Sequence, residues 1–149
     1  MTKMLVFDMD GTIANLYGVA GWLEDLHKEN TRPYEIAEPL YNMDELKEVL
    51  ELLKVRGWKI VVTTWLSKNG TAEYNKATTK AKKEWLAKYS FPYDEIHCVK
   101  YGTTKANCTR KKADFQILID DNKKVRDGWT LGTTVNAQHD IMKFLKALI

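Results

Sequence analysis

Short, almost wholly apolar runs alternate along this chain with longer stretches whose apolar residues recur every three or four positions. Lys3–Asp8 holds Met4, Leu5, Val6 and Phe7 in succession, a run of strand length rather than helix length. Met43–Arg56 obeys the other rule, with Met43, Leu46, Val49, Leu50 and Leu53 on one helical face. Asp44 and Glu45 lie near its start, Lys54 and Arg56 near its end, and Gly57 stops it, as helix polarity favours. Trp58–Thr64 predicts a second strand, apolar apart from Lys59. Thr71–Tyr89 predicts a long helix with Tyr74, Ala77, Ala81, Trp85 and Lys88/Tyr89 roughly along one face. Strands at Glu95–Val99, Phe115–Ile119 and Thr133–Val135 follow, with a brief helix or turn at Asn122–Trp129 and a closing helix at Asp140–Leu148.

Apolar strands alternating with helices imply a parallel sheet covered on both faces, an α/β fold. Ligands of such folds sit beyond the carboxyl ends of the strands, where the sheet order reverses. One stretch breaks the alternation. Residues 13–42 form a connection longer than usual, with Tyr17, Trp22, Tyr34, Tyr41, a short helix expected over Val19–Lys28, and Arg32-Pro33.

Length and charge narrow the picture. The 149 residues fit a single domain, and 44% hydrophobic with 29% charged residues is ordinary for a globular protein. No apolar run approaches the ~20 residues that cross a bilayer, and the short N-terminal apolar stretch ends in acids, unlike a signal peptide. The expectation is a cytoplasmic protein with no membrane partner. Cys98 and Cys108 suggest neither a disulfide framework nor, with His27, His97 and His139, a zinc site. A net charge of +3 suits an anionic substrate without implying nucleic acid.

The polar residues that stand out fall at strand ends. Asp8 and Asp10 close the first strand and should project from one side. Carboxylates that close repel unless a cation compensates them, which asks for a hard divalent metal such as Mg²⁺. Asp120 and Asp121 close the Phe115 strand, Thr63 and Thr64 the Trp58 strand, and Lys105 follows Tyr101-Gly102-Thr103-Thr104. Asp127 is expected on a helix surface.

These segments resemble the haloacid dehalogenase superfamily of aspartate-dependent phosphatases. Asp8-Met9-Asp10-Gly11-Thr12 matches its Asp-x-Asp-Gly-Thr signature, and the other three motifs follow in the family's order up to Asp121. The resemblance implies a doubly wound sheet of strand order 3-2-1-4-5, with residues 13–42 as a small cap in a single domain. It implies Asp8 as nucleophile and Asp10 as general acid and base, with Asp10 also offering its backbone carbonyl to the metal. Thr63 is favoured over Thr64 as the phosphate-binding hydroxyl, because three apolar residues then precede it. Lys105 is the expected charge-balancing lysine, with Lys82 and Lys83 as alternatives inside a helix rich in solvated lysines. Asp121 would ligate Mg²⁺ directly with Asp120 in support, and Gly11, Thr12, Thr64 and Trp65 would meet the substrate.

The small insertion, the Thr-Thr pair and the Leu-Ile-Asp-Asp ending look like the compact 5′(3′)-deoxyribonucleotidase branch and small phosphatases of bacteriophages. The expected partner is therefore a small phosphorylated compound, a nucleotide, with Tyr17, Trp22, Tyr34 or Trp65 placed to stack on a base. Trp65 itself departs from that branch, which usually has a small residue or proline there. Two rivals remain. The lysine clusters Lys80/Lys82/Lys83, Arg110/Lys111/Lys112 and Lys123/Lys124/Arg126 fit a nucleic-acid end phosphatase, and a non-catalytic binding module would keep only the fold.

Overall fold

Strands β1 (Lys3–Phe7), β2 (Trp58–Trp65), β3 (Glu95–Val99), β4 (Phe115–Asp120) and β5 (Gly132–Asn136) form one sheet in the computed structural model, which describes residues 1–149. The order is β3-β2-β1-β4-β5 and every neighbouring pair is parallel. The order expected from the resemblance is the one found. In the centre, Leu5 stands level with Ile60 on β2 and Ile117 on β4.

Helices α1 (Trp22–His27), α2 (Arg32–Ile36), α3 (Met43–Val55), α4 (Ala72–Lys88), α5 (Ala106–Thr109), α6 (Lys123–Asp127) and α7 (Ile141–Ala147) complete the fold. Their starts are fixed by side-chain caps where the sequence supplies them. Asn42, Thr71 and Asp140 accept from the backbone N–H groups of Glu45, Tyr74 and Lys143, satisfying donors that helix starts leave open. The pattern-based boundaries shift by a residue or two.

Strand alternation sorts the core into two clusters. Leu5, Phe7, Ile60, Val62, Ile117 and Ile119 pack against Leu46, Leu50 and Leu53 of α3, Trp85 and Leu86 of α4, and Ile141 and Leu145 of α7. Met4, Val6, Val61 and Leu118 face the other way, onto a smaller cluster with Ala106 and Trp129. No helix is long and apolar enough to cross a membrane.

The insertion is more structured than its sequence suggests. A 3-10 turn at Leu16–Gly18 precedes α1 and α2. The helix expected from Val19 begins only at Trp22, because Gly21 before it adopts φ +76°, outside the helical range. The second helix carries Pro33 in its first turn, where a missing N–H costs nothing. The two ends of the insertion are stitched by Asn15 N–H to Glu38 O at 2.8 Å and Leu40 N–H to Ile13 O at 2.9 Å. It docks on α4 through Leu16, Tyr34, Tyr74 and Ala81, and the Trp85 indole N–H donates to Ala37 O at 2.8 Å.

Candidate active site

The site begins where β1 stops. Beyond Phe7 the strand alternation gives way to a turn in which Met9 O accepts from the N–H groups of Thr12, Ile13 and Ala14. Asp8 and Asp10 therefore do not simply share a strand face. Both line one cavity of about 370 Å³, but their cationic partners arrive from opposite sides of the sheet. Asp10 takes a hydrogen bond from a lysine of α4, Lys82.

Lys105, at the start of α5, donates to Asp8 Oδ1 at 2.9 Å and to Asp120 Oδ2 at 2.8 Å. Neither Thr103 nor Thr104 caps this turn. Lys105 itself occupies the cap position, and the Thr103 hydroxyl donates back to Lys100 O. The other oxygen of Asp8, Oδ2, lies 3.0 Å from the Thr12 hydroxyl, which is 3.4 Å from Asp121 Oδ1. Asp120 has both oxygens engaged, since its Oδ1 accepts from Asn122 N–H at 2.9 Å. Asp121 keeps free acceptor capacity towards the cavity.

Gly11 is required by this crowding. Its φ is +79°, and a Cβ there would lie 2.3 Å from Asp121 Oδ2 and 2.9 Å from the Tyr17 ring. Only glycine combines that backbone with so close an approach.

The threonines resolve differently from the sequence expectation. Thr64 continues the parity of Ile60 and Val62, lines the cavity, and its Oγ1 lies 2.6 Å from Lys82 Nζ. Thr63, the favoured candidate, shares the parity of Val61, is fully buried, has a hydroxyl with no partner, and does not line the cavity. Thr63 lies two residues before the end of the strand, which the structure extends to Trp65.

Lys82 is a second correction. It is not a solvated helix lysine but is 0% exposed, whereas Lys80 and Lys83 are exposed. Its Nζ donates to Asp10 Oδ2 at 2.9 Å, to Thr64 Oγ1, and to Trp65 O at 2.9 Å. Tyr101, Leu23, Leu26 and His27 also line the cavity without having been singled out. Tyr17, Trp22, Tyr34 and Trp65 line it as well. Tyr17 and Trp22 meet edge to face at 4.9 Å, and Trp65 and Tyr101 lie 5.0 Å apart. The Trp65 indole N–H is fixed on Thr103 O at 2.8 Å.

Electrostatics separate the acids. Burial would raise Asp8, but the Lys105 ammonium and the hydrogen bonds to its carboxylate hold it below the usual range. Asp10 is raised by burial, only partly offset by Lys82. Asp120 is raised by burial and by the charge of Asp8. Asp121 is pushed up to about 8 by burial and by its hydrogen bond and repulsion with Asp8. The Asp8 and Asp120 charges outweigh burial at Lys105 and raise it.

Two ammonium groups thus face the four carboxylates of Asp8, Asp10, Asp120 and Asp121, leaving an excess of two negative charges when all ionise. Asp8, Asp120 and Asp121 offer oxygens that lie within 4.8 Å of one another. An all-carboxylate set of that size fits a hard divalent cation.

Comparison with known proteins bears on the fold. No family model and no curated protein sequence matches this chain. Among solved structures, the D,D-heptose 1,7-bisphosphate phosphatase of Burkholderia thailandensis superposes with a TM-score of 0.59 at 16% identity. The match covers 98% of this chain and 97% of that one. At so low an identity the likeness is one of architecture.

Proposed function

We propose that this chain is a Mg²⁺-dependent phosphomonoester hydrolase that works through an aspartyl-phosphate on Asp8. The observation that carries the reading is the state of Asp8 itself. It is a buried carboxylate kept ionised by Lys105, held at its second oxygen by Thr12, and open to a cavity that Asp10 and Asp121 also line. A structural ion pair needs no such opening.

Asp8 Oδ attacks phosphorus, and the bond to the ester oxygen breaks. Asp10 gives its proton to that oxygen as the alcohol leaves. In the second half Asp10 takes a proton from water, whose oxygen attacks the aspartyl-phosphate, releasing phosphate and restoring Asp8. The Thr64 hydroxyl would bind a phosphoryl oxygen, whereas the N–H groups of Gly11 and Thr12 are taken by Ala14 O and Met9 O within the loop. Asp8, Asp121 and the Asp10 carbonyl would hold the Mg²⁺, with Asp120 in support, and the bound ion would supply charge neutralisation at the phosphoryl group.

For substrate, a cavity of about 370 Å³ lined by Tyr17, Trp22, Tyr34, Trp65 and Tyr101 supports a nucleoside monophosphate, with residues 13–42 acting as a cap. The nucleic-acid reading loses support. Lys82 is withdrawn into the site, while Lys80, Lys112 and Lys123 are paired with Glu84, Glu95 and Asp127.

The test is phosphate release from nucleoside monophosphates, sugar phosphates and 3′-phosphorylated oligonucleotides, with Mg²⁺ and with chelator. The expected result is Mg²⁺-dependent turnover, fastest on a nucleotide by about tenfold or more, and none in Asp8→Asn. Activity surviving Asp8→Asn would overturn the mechanism. Equal turnover of sugar phosphates would overturn the substrate class alone.

A further inference from the structure

Lys82 lies seventy-two residues from Asp10 in sequence, on a helix whose other lysines are exposed, yet none of its side chain reaches solvent. An ammonium group is costly to bury unless every proton finds an acceptor. Here every proton does. A lysine has three N–H donors, and they go to a carboxylate, a hydroxyl and a backbone carbonyl, Asp10 Oδ2, Thr64 Oγ1 and Trp65 O. The Tyr34 ring covers the remaining side, its centroid 5.1 Å from Nζ, and the Tyr34 hydroxyl is itself anchored at 3.0 Å to Ser67.

From this saturation we infer that Lys82 is a positioning residue for ester cleavage: it fixes the Asp10 carboxylate and the Thr64 hydroxyl, and makes no contact with substrate. The inference rests on the phosphatase reading above. Two consequences follow from the donor geometry. Because Oδ2 of Asp10 is occupied by Lys82, its proton-transferring oxygen is Oδ1. Because Thr64 Oγ1 accepts from Lys82, the Thr64 proton must point away from it and is free for a phosphoryl oxygen. The insertion participates, since Tyr34 keeps water from competing for the three bonds.

The experiment compares two substrates that differ in how much their leaving group needs a proton. Nitrophenolate leaves 4-nitrophenyl phosphate without help, whereas the alkoxide of a nucleoside 5′-monophosphate does not. In Lys82→Met, kcat/KM on the nucleotide, which reports the first half of the reaction alone, should fall about 100-fold, within the usual share of general acid catalysis. On 4-nitrophenyl phosphate kcat/KM should fall less than about tenfold, although kcat there can fall further because both substrates share the water-activating step of Asp10. Equal losses of kcat/KM on both substrates would overturn the inference in favour of a merely structural lysine. A raised KM with unchanged kcat would overturn it in favour of a direct phosphate contact.

Asp10→Asn supplies the second arm and guards against misfolding, because with it no unpaired carboxylate remains when Lys82 is also removed. Adding Lys82→Met to Asp10→Asn should cost less than about tenfold, against about 100-fold in the wild-type background. Losses that multiply would overturn the inference. A wild-type chain that releases phosphate from neither substrate would overturn the phosphatase reading and this inference together, a result distinct from any of the variant patterns.

Discussion

Lys105 and Lys82 are both buried, both reach the Asp8–Thr12 loop, and approach it from opposite faces of the sheet. Lys105 comes from the side of the small cluster and stands between two carboxylates, with one N–H still unassigned and the Trp65 ring 5.6 Å away. Lys82 comes from α4, on the side of the large cluster, and has one carboxylate, one hydroxyl and one carbonyl. What separates them is the donor left over. A cation between two acids with a spare proton can balance a charge arriving with the substrate. A cation with mixed acceptors and none spare holds its neighbours in place.

The strongest way to break this comparison is Lys105→Met. It leaves Asp8 and Asp120 close together with no cation between them. Removing one partner of a buried pair costs about 3–5 kcal/mol, which for a chain of this size lowers Tm by roughly 10 °C. Loss of a donor aimed at developing charge adds a fall in kcat of about 10²–10³. The fall should be equal for 4-nitrophenyl phosphate and a nucleoside monophosphate. A Lys105→Met profile that depends on the leaving group, like that expected for Lys82→Met, would erase the distinction between the two lysines. Steady-state kinetics on both substrates and thermal unfolding measure it.

The legibility of this molecule divides along the same line. The sheet was readable because β1, β2 and β4 are runs of apolar residues at fixed distances from strand-ending acids and threonines, and short-range patterns report such things well. Asp8, Asp10, Asp120, Asp121 and Lys105 do meet in space, and each stood at or soon after a strand end. Lys82 was not legible in that way, because its partners lie on other elements and its composition matches its solvated neighbours. A signal existed nonetheless. Thr78, Lys82, Trp85 and Leu86 are all buried and fall at helical spacing. Placing Ala77 rather than Thr78 on the apolar face rotated that face away from Lys82. The threonine choice failed for a related reason. Which hydroxyl meets the cavity depends on where β2 ends, and only the pairing of Trp65 with Val99 on β3 fixes that.

The threonine pair gives a milder test, since Thr64 belongs to the Lys82 side and Thr63 to the other. Thr64→Val should lower kcat by roughly 10–100-fold through loss of one phosphoryl donor. Thr63→Val should leave kcat within about threefold. It should also raise stability by up to about 1 kcal/mol, because it replaces a buried hydroxyl that has no partner with a methyl group. The reverse ranking in a paired kinetic assay would restore Thr63 as the phosphate-binding residue and remove Thr64 from the arrangement around Lys82.

The smallest effect lies with the lysines outside the site. Lys59 and Lys112 both pair with Glu95 at the start of β3, all three partly exposed. Hydrogen bonds from Lys112 and Lys59 hold the Glu95 carboxyl at about 2, below its ordinary 4.5. A carboxyl depressed on folding stabilises fully above its unfolded value and loses that contribution as pH falls from about 4.5 towards 2. Solvent screens the pairs, so the contribution is discounted to at most about 1 kcal/mol. Glu95→Gln should therefore unfold slightly more easily than the wild type at pH 6, match it near pH 2, and show a smaller difference in 1 M salt. Phosphate release should not change. A Glu95→Gln penalty that persisted below pH 2, or that reached the several kcal/mol expected of Lys105→Met, would mean that burial is not what sets the site lysines apart from those on the surface.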